Sequence, residues 1–112
     1  MNYKIQTYIT FDKEVKKLGK KYKSIKKDLT ELVQQLMQNP DMGTDLGNGY
    51  RKIRMSITDK GKGKRAGARI ITLNIILSAE ETSIGLLYIY DKSERESITD
   101  KEIEALKNKC GI

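Results

Sequence analysis

The sequence predicts an α+β fold with an N-terminal strand, a helical hairpin, a mainly antiparallel sheet of about four strands and a short C-terminal helix. Three observations lead to this prediction: an alternating start, two apolar stripes at helical spacing, and three strand-like runs in the second half. The chain has 112 residues, the length of one ordinary domain, so we expect residues 1–112 to fold as one unit.

The first 40 residues predict a strand followed by two amphipathic helices. Tyr3, Ile5 and Ile9 alternate with polar positions, as in a half-buried strand. Apolar residues at helical spacing then form two stripes: Phe11, Val15, Leu18 and Tyr22, and next Ile25, Leu29, Leu32, Val33, Leu36 and Met37. We expect Thr10 or Asp12 to cap the first helix and Ser24 to cap the second, which ends at Asn39-Pro40.

The second half predicts strands and one more helix. Residues 41–49 hold three glycines and are expected to form a loop. In the run that follows, Lys52 and Arg54 alternate with apolar residues, so they project side by side, roughly 7 Å apart along the strand. Residues 69–77 and 84–90 are strongly apolar, as in central strands, with a hairpin turn at 79–82. Thr99 and Glu102 fit a capping box at the start of the last helix.

The basic charge is concentrated in one segment. Residues 50–69 contain eight basic residues and one acid, a net charge of +7, whereas the other residues carry 14 of each sign. The basic residues are Arg51, Lys52, Arg54, Lys60, Lys62, Lys64, Arg65 and Arg69. A one-sided block inside a folded domain is typical of a surface that binds a polyanion, here placed on the sheet face opposite the helical hairpin. Within it, residues 60–67 predict a mobile, glycine-containing loop.

Composition excludes several classes of protein. The chain has one cysteine, Cys110, and no histidine, so internal disulfides, zinc sites and histidine-dependent hydrolases are excluded. The acids are scattered, which does not favour a magnesium site, and we expect no cofactor. No apolar run reaches the roughly 20 residues of a membrane span, and no signal peptide is recognisable. These features predict a cytoplasmic protein without a membrane partner.

The remaining cations can support RNA cleavage without a metal. The 2′-hydroxyl attacks the neighbouring phosphate, and the protein must align the attack, neutralise developing charge and move two protons. Arginine suits the second task because its planar fork stays charged and binds phosphate. The cluster of Lys52, Arg54, Arg69 and Lys92 has this character, although a phosphate-binding surface without catalysis fits it as well.

Three motifs resemble the RelE/HigB toxin superfamily, especially its HigB-like branch. They are residues 50–55 (YRKIRM), 60–71 (KGKGKRAGARII) and 86–94 (LLYIYDKSE). The glycine-lysine loop leading into Ala-Arg-Ile-Ile is the most specific part. The resemblance implies a RelE-like fold and a toxin of a type II toxin–antitoxin system. Such a toxin inhibits translation as a metal-independent endoribonuclease, an mRNA interferase that cuts mRNA in the A site of the 30S ribosomal subunit. It is silenced by a cognate antitoxin.

The resemblance also implies roles for individual residues. Lys52 and Arg54 match the family's basic pair that contacts the RNA backbone and assists proton transfer. Arg69 matches the arginine that holds the scissile phosphate, and Lys92 a basic residue that stabilises the transition state or protonates the leaving group. Lys60, Lys62, Lys64 and Arg65 are expected to bind RNA, with Tyr90 stacking on a base.

Two features depart from the family pattern or complicate the site. Many relatives use a histidine or a late tyrosine as the general base, and neither occurs here, so the base stays open, with Lys52 as the first candidate. Arg69 is in phase with Ile71 and Leu73, which predicts that it points partly inward.

Two alternative functions remain open. A ParE-like gyrase poison has the same fold but generally lacks the cluster of Lys52, Arg54, Arg69 and Lys92, which favours the nuclease. A module that binds RNA or the ribosome without cutting is equally compatible with the charge.

The charge of residues 50–69 predicts a strong salt dependence of binding. We expect affinity for RNA or ribosomes to fall steeply with rising salt, because binding through phosphates releases counterions. Equilibrium binding measured over a series of salt concentrations checks this. A flat dependence would contradict a polyanion-binding role for the segment.

Overall fold

The computed structural model describes residues 2–112 and confirms the α+β prediction. Five strands and three helices follow in chain order: β1 (Asn2–Thr7), α1 (Ile9–Lys21), α2 (Ile25–Gln38), β2 (Thr44–Gly47), β3 (Tyr50–Met55), β4 (Ala68–Ile76), β5 (Glu81–Asp91) and α3 (Asp100–Lys109). Two short 3₁₀ turns, Thr58–Lys60 and Lys64–Ala66, lie in the connection between β3 and β4, residues 56–67, which we call the basic segment.

The strands form one mixed sheet in the order β1-β5-β4-β3-β2. β1 runs parallel to β5, and the other neighbouring strands are antiparallel. The prediction of about four strands missed β2, which lies in the segment expected to be a loop. Gly47, Asn48 and Gly49 all have positive φ, and this tight turn allows the short segment before it to pair with β3.

The helical hairpin covers one face of the sheet, as predicted. Phe11 and Leu18 of α1 and the buried residues of α2 pack there against Ile53, Ile70 and Ile89. The opposite face was expected to be free, but α3 covers its apolar part through Ile103. Because α3 buries only the apolar side chains of this face, its polar end at Lys52 and Arg54 remains open.

The helix caps were predicted with mixed success. Thr99 and Glu102 form the predicted capping box of α3. The caps expected for α1 are wrong: α1 begins at Ile9, and the Thr10 hydroxyl instead donates to the Leu87 carbonyl at 2.5 Å, which ties the helix to the sheet. Ser24 does occupy the N-cap of α2 but makes no capping bond, because its hydroxyl donates to Asp28.

A buried carboxylate, Asp91 at the end of β5, holds the basic segment against the fold. Its Oδ1 accepts hydrogen bonds from Lys60 Nζ at 2.8 Å and from the backbone and hydroxyl of Ser93. Its Oδ2 accepts from the hydroxyl of Tyr22, the residue that follows α1, at 2.9 Å. Burial alone would raise the pKa of Asp91, but the hydrogen bonds from Lys60, Ser93 and Tyr22 outweigh it and hold this pKa well below its usual range.

Asp91→Asn should lower the stability of the protein at neutral pH. We expect a loss of about 3–5 kcal/mol, because the substitution leaves the ammonium of Lys60, whose side chain is 10% exposed, without its carboxylate. The measurement is urea unfolding of both proteins. Glu94→Gln is the matched control, because Glu94 forms an exposed ion pair with Lys21 and its loss should change little.

The same comparison has a predictable pH dependence. The pKa of Asp91 is depressed by folding, so its stabilisation is present above the unfolded-state value of about 3.9 and is lost as pH falls below it. The difference between wild type and Asp91→Asn should therefore shrink steadily in acid. A stability difference between the two proteins that stays constant from pH 7 to pH 3 would contradict the depressed pKa of Asp91.

Gly67 and Gly19 should respond oppositely to alanine. A Cβ at Gly67, where the basic segment joins β4, would collide with the Met55 carbonyl oxygen, so Gly67→Ala should destabilise by about 1–3 kcal/mol. A Cβ at Gly19, inside α1, meets no atom within 4 Å, and Gly19→Ala should stabilise by about 0.5–1 kcal/mol through helix propensity. Thermal unfolding of the two variants tests both, and equal effects would refute the close approach at Gly67.

Candidate nucleic-acid interface

The structure aligns the predicted cations across three strands. Arg54 of β3 lies directly opposite Arg69 of β4, and Arg69 lies opposite Tyr90 of β5. Side chains that face each other in this way have Cβ atoms about 4.5–5.5 Å apart. Arg54, Arg69 and Tyr90 thus form one row across the three strands. Lys52 lies two residues before Arg54 on the same face and belongs to the neighbouring row. The sheet therefore brings three of the four predicted catalytic residues together on the face that α3 leaves open.

Lys52 and Arg54 are the available cations of these two rows. Arg54 is exposed and Lys52 is partly exposed. Neither side chain makes a hydrogen bond or an ion pair within residues 2–112. Their charges are therefore free to bind phosphate groups of a ligand.

Arg69 is buried, as its strand phase predicted. It is 5% exposed, and its guanidinium donates to the carbonyl oxygens of Lys64 at 2.8 Å, Arg65 at 3.1 Å and Ala68 at 3.1 Å. Burial, followed by the neighbouring charge of Arg54, lowers the pKa of Arg69. Arg69 thus holds the basic segment, and within the described chain its Nε–H group keeps no hydrogen-bond partner.

Lys92 lies at the same end of the sheet but is already engaged. It follows the pair formed by Asp91 and Ala68, and its backbone N–H donates to the Gly67 carbonyl at 3.0 Å. Its ammonium donates to the Glu96 carbonyl at 2.6 Å and lies 3.8 Å from the Glu96 carboxylate. These two oxygens therefore compete with a phosphate for the Lys92 ammonium.

Tyr90 is placed beside the cations, but it does not offer the free ring expected for base stacking. It is only 5% exposed, and the Arg95 guanidinium lies 6.0 Å from its ring centre. Its buried hydroxyl has no hydrogen-bond partner within residues 2–112. Burial is the main cause that raises the pKa of Tyr90, against the opposing charges of Arg69 and Arg95. No pattern in the sequence indicated that Arg95 would join this cluster.

The basic segment presents three of its four expected RNA-binding side chains. Lys62, Lys64 and Arg65 are exposed. Lys60 is different, because its ammonium is directed inward to Asp91 and lies 5.8 Å from the centre of the Tyr22 ring. The expectation that Lys60 binds RNA does not fit this placement, since its charge is already neutralised within the fold.

A larger groove lies elsewhere on the described chain. It measures about 650 Å³ and runs between α1 and α3, where Ile9, Tyr88 and Leu106 contribute apolar surface. It contains none of the four predicted catalytic residues, so its size does not mark the catalytic centre. Residues 2–112 contain no group of three or more potential metal-ligating side chains, and no helix among them is long and apolar enough to cross a membrane.

Comparison with known proteins assigns the chain to a family. No curated protein matches the chain. One family model does match, that of the RelE toxin of the RelE/RelB toxin–antitoxin system, and it covers residues 7–111. The match includes all three helices and the row formed by Arg54, Arg69 and Tyr90. It also implies an antitoxin as partner, whereas the HigB-like branch stays a prediction. The chain therefore belongs to the RelE toxin family.

Proposed function

We propose that this protein is an endoribonuclease that cuts mRNA in the A site of the ribosome. The observation that carries the proposal is the alignment of Lys52, Arg54 and Arg69 on one open sheet face of a RelE-family toxin. Within residues 2–112, two of these cations have no partner, and a surface with unpaired cations on rigid strands suits the binding of a phosphodiester.

The proposed reaction needs only the RNA and the side chains of the protein. The 2′-oxygen bonds to phosphorus and the bond to the 5′-oxygen breaks, which leaves a 2′,3′-cyclic phosphate and a 5′-hydroxyl end. Lys52, in its neutral amine form, is the candidate that accepts the proton of the 2′-hydroxyl. Lys92 is the candidate that gives a proton to the 5′-oxygen, once RNA has displaced it from Glu96.

The burial of Arg69 refines how the charge on the phosphate is neutralised. We assign the direct contact mainly to Arg54, which is exposed and opposite Arg69. Arg69 contributes its unused Nε–H group and holds the carbonyl oxygens of Lys64 and Arg65, so that these side chains stay near the row. Lys62, Lys64 and Arg65 then bind phosphates of the message or of ribosomal RNA.

The partner proposed for this surface is an antitoxin with an acidic segment. A toxin that enters the ribosome must be held inactive in its own cell, and acidic residues would complement the +7 charge of residues 50–69. The whole chain acts as one domain in this scheme, working without a cofactor in the cytoplasm.

Brief expression with mapping of mRNA 5′ ends tests the proposed function. We expect new 5′-hydroxyl ends in phase with codons in cells that make the wild-type protein. We expect none with Arg54→Ala, because that variant lacks the exposed charge on the phosphate. Induction of the DNA-damage response without new ends would instead support a gyrase poison. Ribosome binding without new ends would support a non-catalytic module.

Single-turnover cleavage at saturating ribosomes separates catalysis from binding. Arg54→Ala should cut about 100- to 1000-fold more slowly, the usual effect of removing one donor that acts on the transition state. Its unfolding should be unchanged, since the Arg54 side chain makes no bond within residues 2–112. Lys26→Ala, which removes an exposed charge from α2 on the other side of the sheet, is the control and should cut at the normal rate. If Arg54→Ala also cuts normally once bound, the assignment of Arg54 is wrong.

A further inference from the structure

A small groove lies beside Arg54, between α2 and the edge of β3. β2 pairs with β3 only as far as Lys52, so the last residues of β3 have an open edge. The groove measures about 120 Å³. Its lining comes from α2, from the end of β3 and from the basic segment, and includes Glu31, Gln35, Arg54, Ser56 and Lys64.

The polar side chains inside this groove are unused by the fold. Glu31 and Gln35 are exposed and four residues apart on α2, so they share one face of the helix. Together with Ser56 of the opposite wall, they make no side-chain hydrogen bond or ion pair in the described chain. These three polar groups line a concave site and are available to a ligand.

Asp28, by contrast, belongs to the groove wall and not to its binding groups. Its carboxylate accepts hydrogen bonds from the Ser24 hydroxyl at 3.0 Å and from the backbone and hydroxyl of Thr58, at 2.9 and 2.5 Å. These bonds fix α2 to the 3₁₀ turn at Thr58–Lys60, which makes the groove a preformed feature.

Two cations flank the groove, and the fold holds both in place. Arg54 lies on β3, while Lys64 lies on the segment whose carbonyl oxygen Arg69 holds. Their charges favour a ligand that carries phosphate, and the same groove also offers the carboxylate of Glu31, the amide of Gln35 and the hydroxyl of Ser56. This set of groups suits the backbone and the base edge of one nucleotide.

Size and charge decide which ligand fits. The volume is well below the roughly 300–1,000 Å³ of sites for larger small molecules, and it suits a single heterocycle. A carboxylate repels phosphate, so Glu31 in this basic neighbourhood favours a base that donates an N–H group. Carboxylates accept from the exocyclic amine of cytosine, and amides such as Gln35 pair with adenine.

We propose that this groove binds one base of the cleaved mRNA and prefers a base with an exocyclic amine over uracil. The inference rests on the proposed ribosomal cleavage. Glu31 and Gln35 are then specificity-determining residues, and Arg54 is the residue that links the base to the scissile phosphate.

The experiment measures single-turnover cleavage on ribosomes carrying four messages that differ in one nucleotide next to the cut. The variants are Glu31→Gln and Gln35→Ala, with Gln34→Ala as the control, an exposed α2 residue outside the groove. We expect wild type to cut amine-bearing messages faster than the uridine message, at one of the two flanking positions. Each groove variant should reduce that ratio by about tenfold without slowing the uridine message, and the control should keep the wild-type ratio.

The outcomes separate this inference from the proposed function. If the wild type and all variants cut the messages with the same base preference, the proposed function stands, but the proposal that the groove binds a base is overturned. An equal loss of rate on all four messages would also overturn it, because that is the effect of a structural or backbone-binding role. If wild type cuts none of the messages, the proposed cleavage fails and the inference fails with it.

Discussion

The carboxylate of Asp91 is the constraint on which the arrangement of the site depends. A fully buried charge must be paired, and this one is satisfied only when α1, the basic segment and the turn after β5 are all in place, through Tyr22, Lys60 and Ser93. Removing one of these contacts leaves a buried polar group without its partner. The packing of α1 and the position of the basic segment are therefore coupled through the Asp91 side chain.

Arg69 makes the second attachment, on the other face of the sheet. It holds the far end of the basic segment by its backbone carbonyl oxygens, while Asp91 holds the near end by a side chain. The cations of the protein thus divide into two groups. Lys60 and Arg69 bond to other groups of the fold. Lys52 and Arg54, together with the exposed side chains of the basic segment, remain available to a ligand. Because charges of one sign destabilise a compact state by repulsion, the internal bonds of Lys60 and Arg69 help to keep this surface ordered.

The sequence was sufficient to predict the features of the fold and the site that local patterns determine. Alternation along residues 52–57 placed Lys52 and Arg54 on the open face, and the same parity predicted the burial of Arg69. The capping box at Thr99 is also a local signal. The ion pair of Lys60 with Asp91 could not be predicted, because 31 positions separate the two residues and only the folded sheet brings them together. Three other features also could not be predicted, because they depend on contacts that only the folded chain makes. They are the position of Arg95 beside Tyr90, the pairing of β2 with β3, and the hydrogen bond from the Thr10 hydroxyl to the sheet.

The feature of the site that is hardest to predict from the sequence is an irregularity in the pairing of β4 with β5. Ile71 pairs with Tyr88 and Thr72 with Leu86, so Leu87 is an extra residue on β5. Ile84 and Leu86 face the helical hairpin before this point, and Ile89 faces it afterwards, so the facing residues change from even to odd positions. Unbroken alternation would have turned Tyr90 towards α1 and Asp91 towards the open face. Because residues 84–90 are apolar almost throughout, no period in the sequence marks the change. One extra residue thus places Tyr90 beside Arg69 and buries Asp91 against Lys60, so the attachment of the basic segment through Asp91 depends on it.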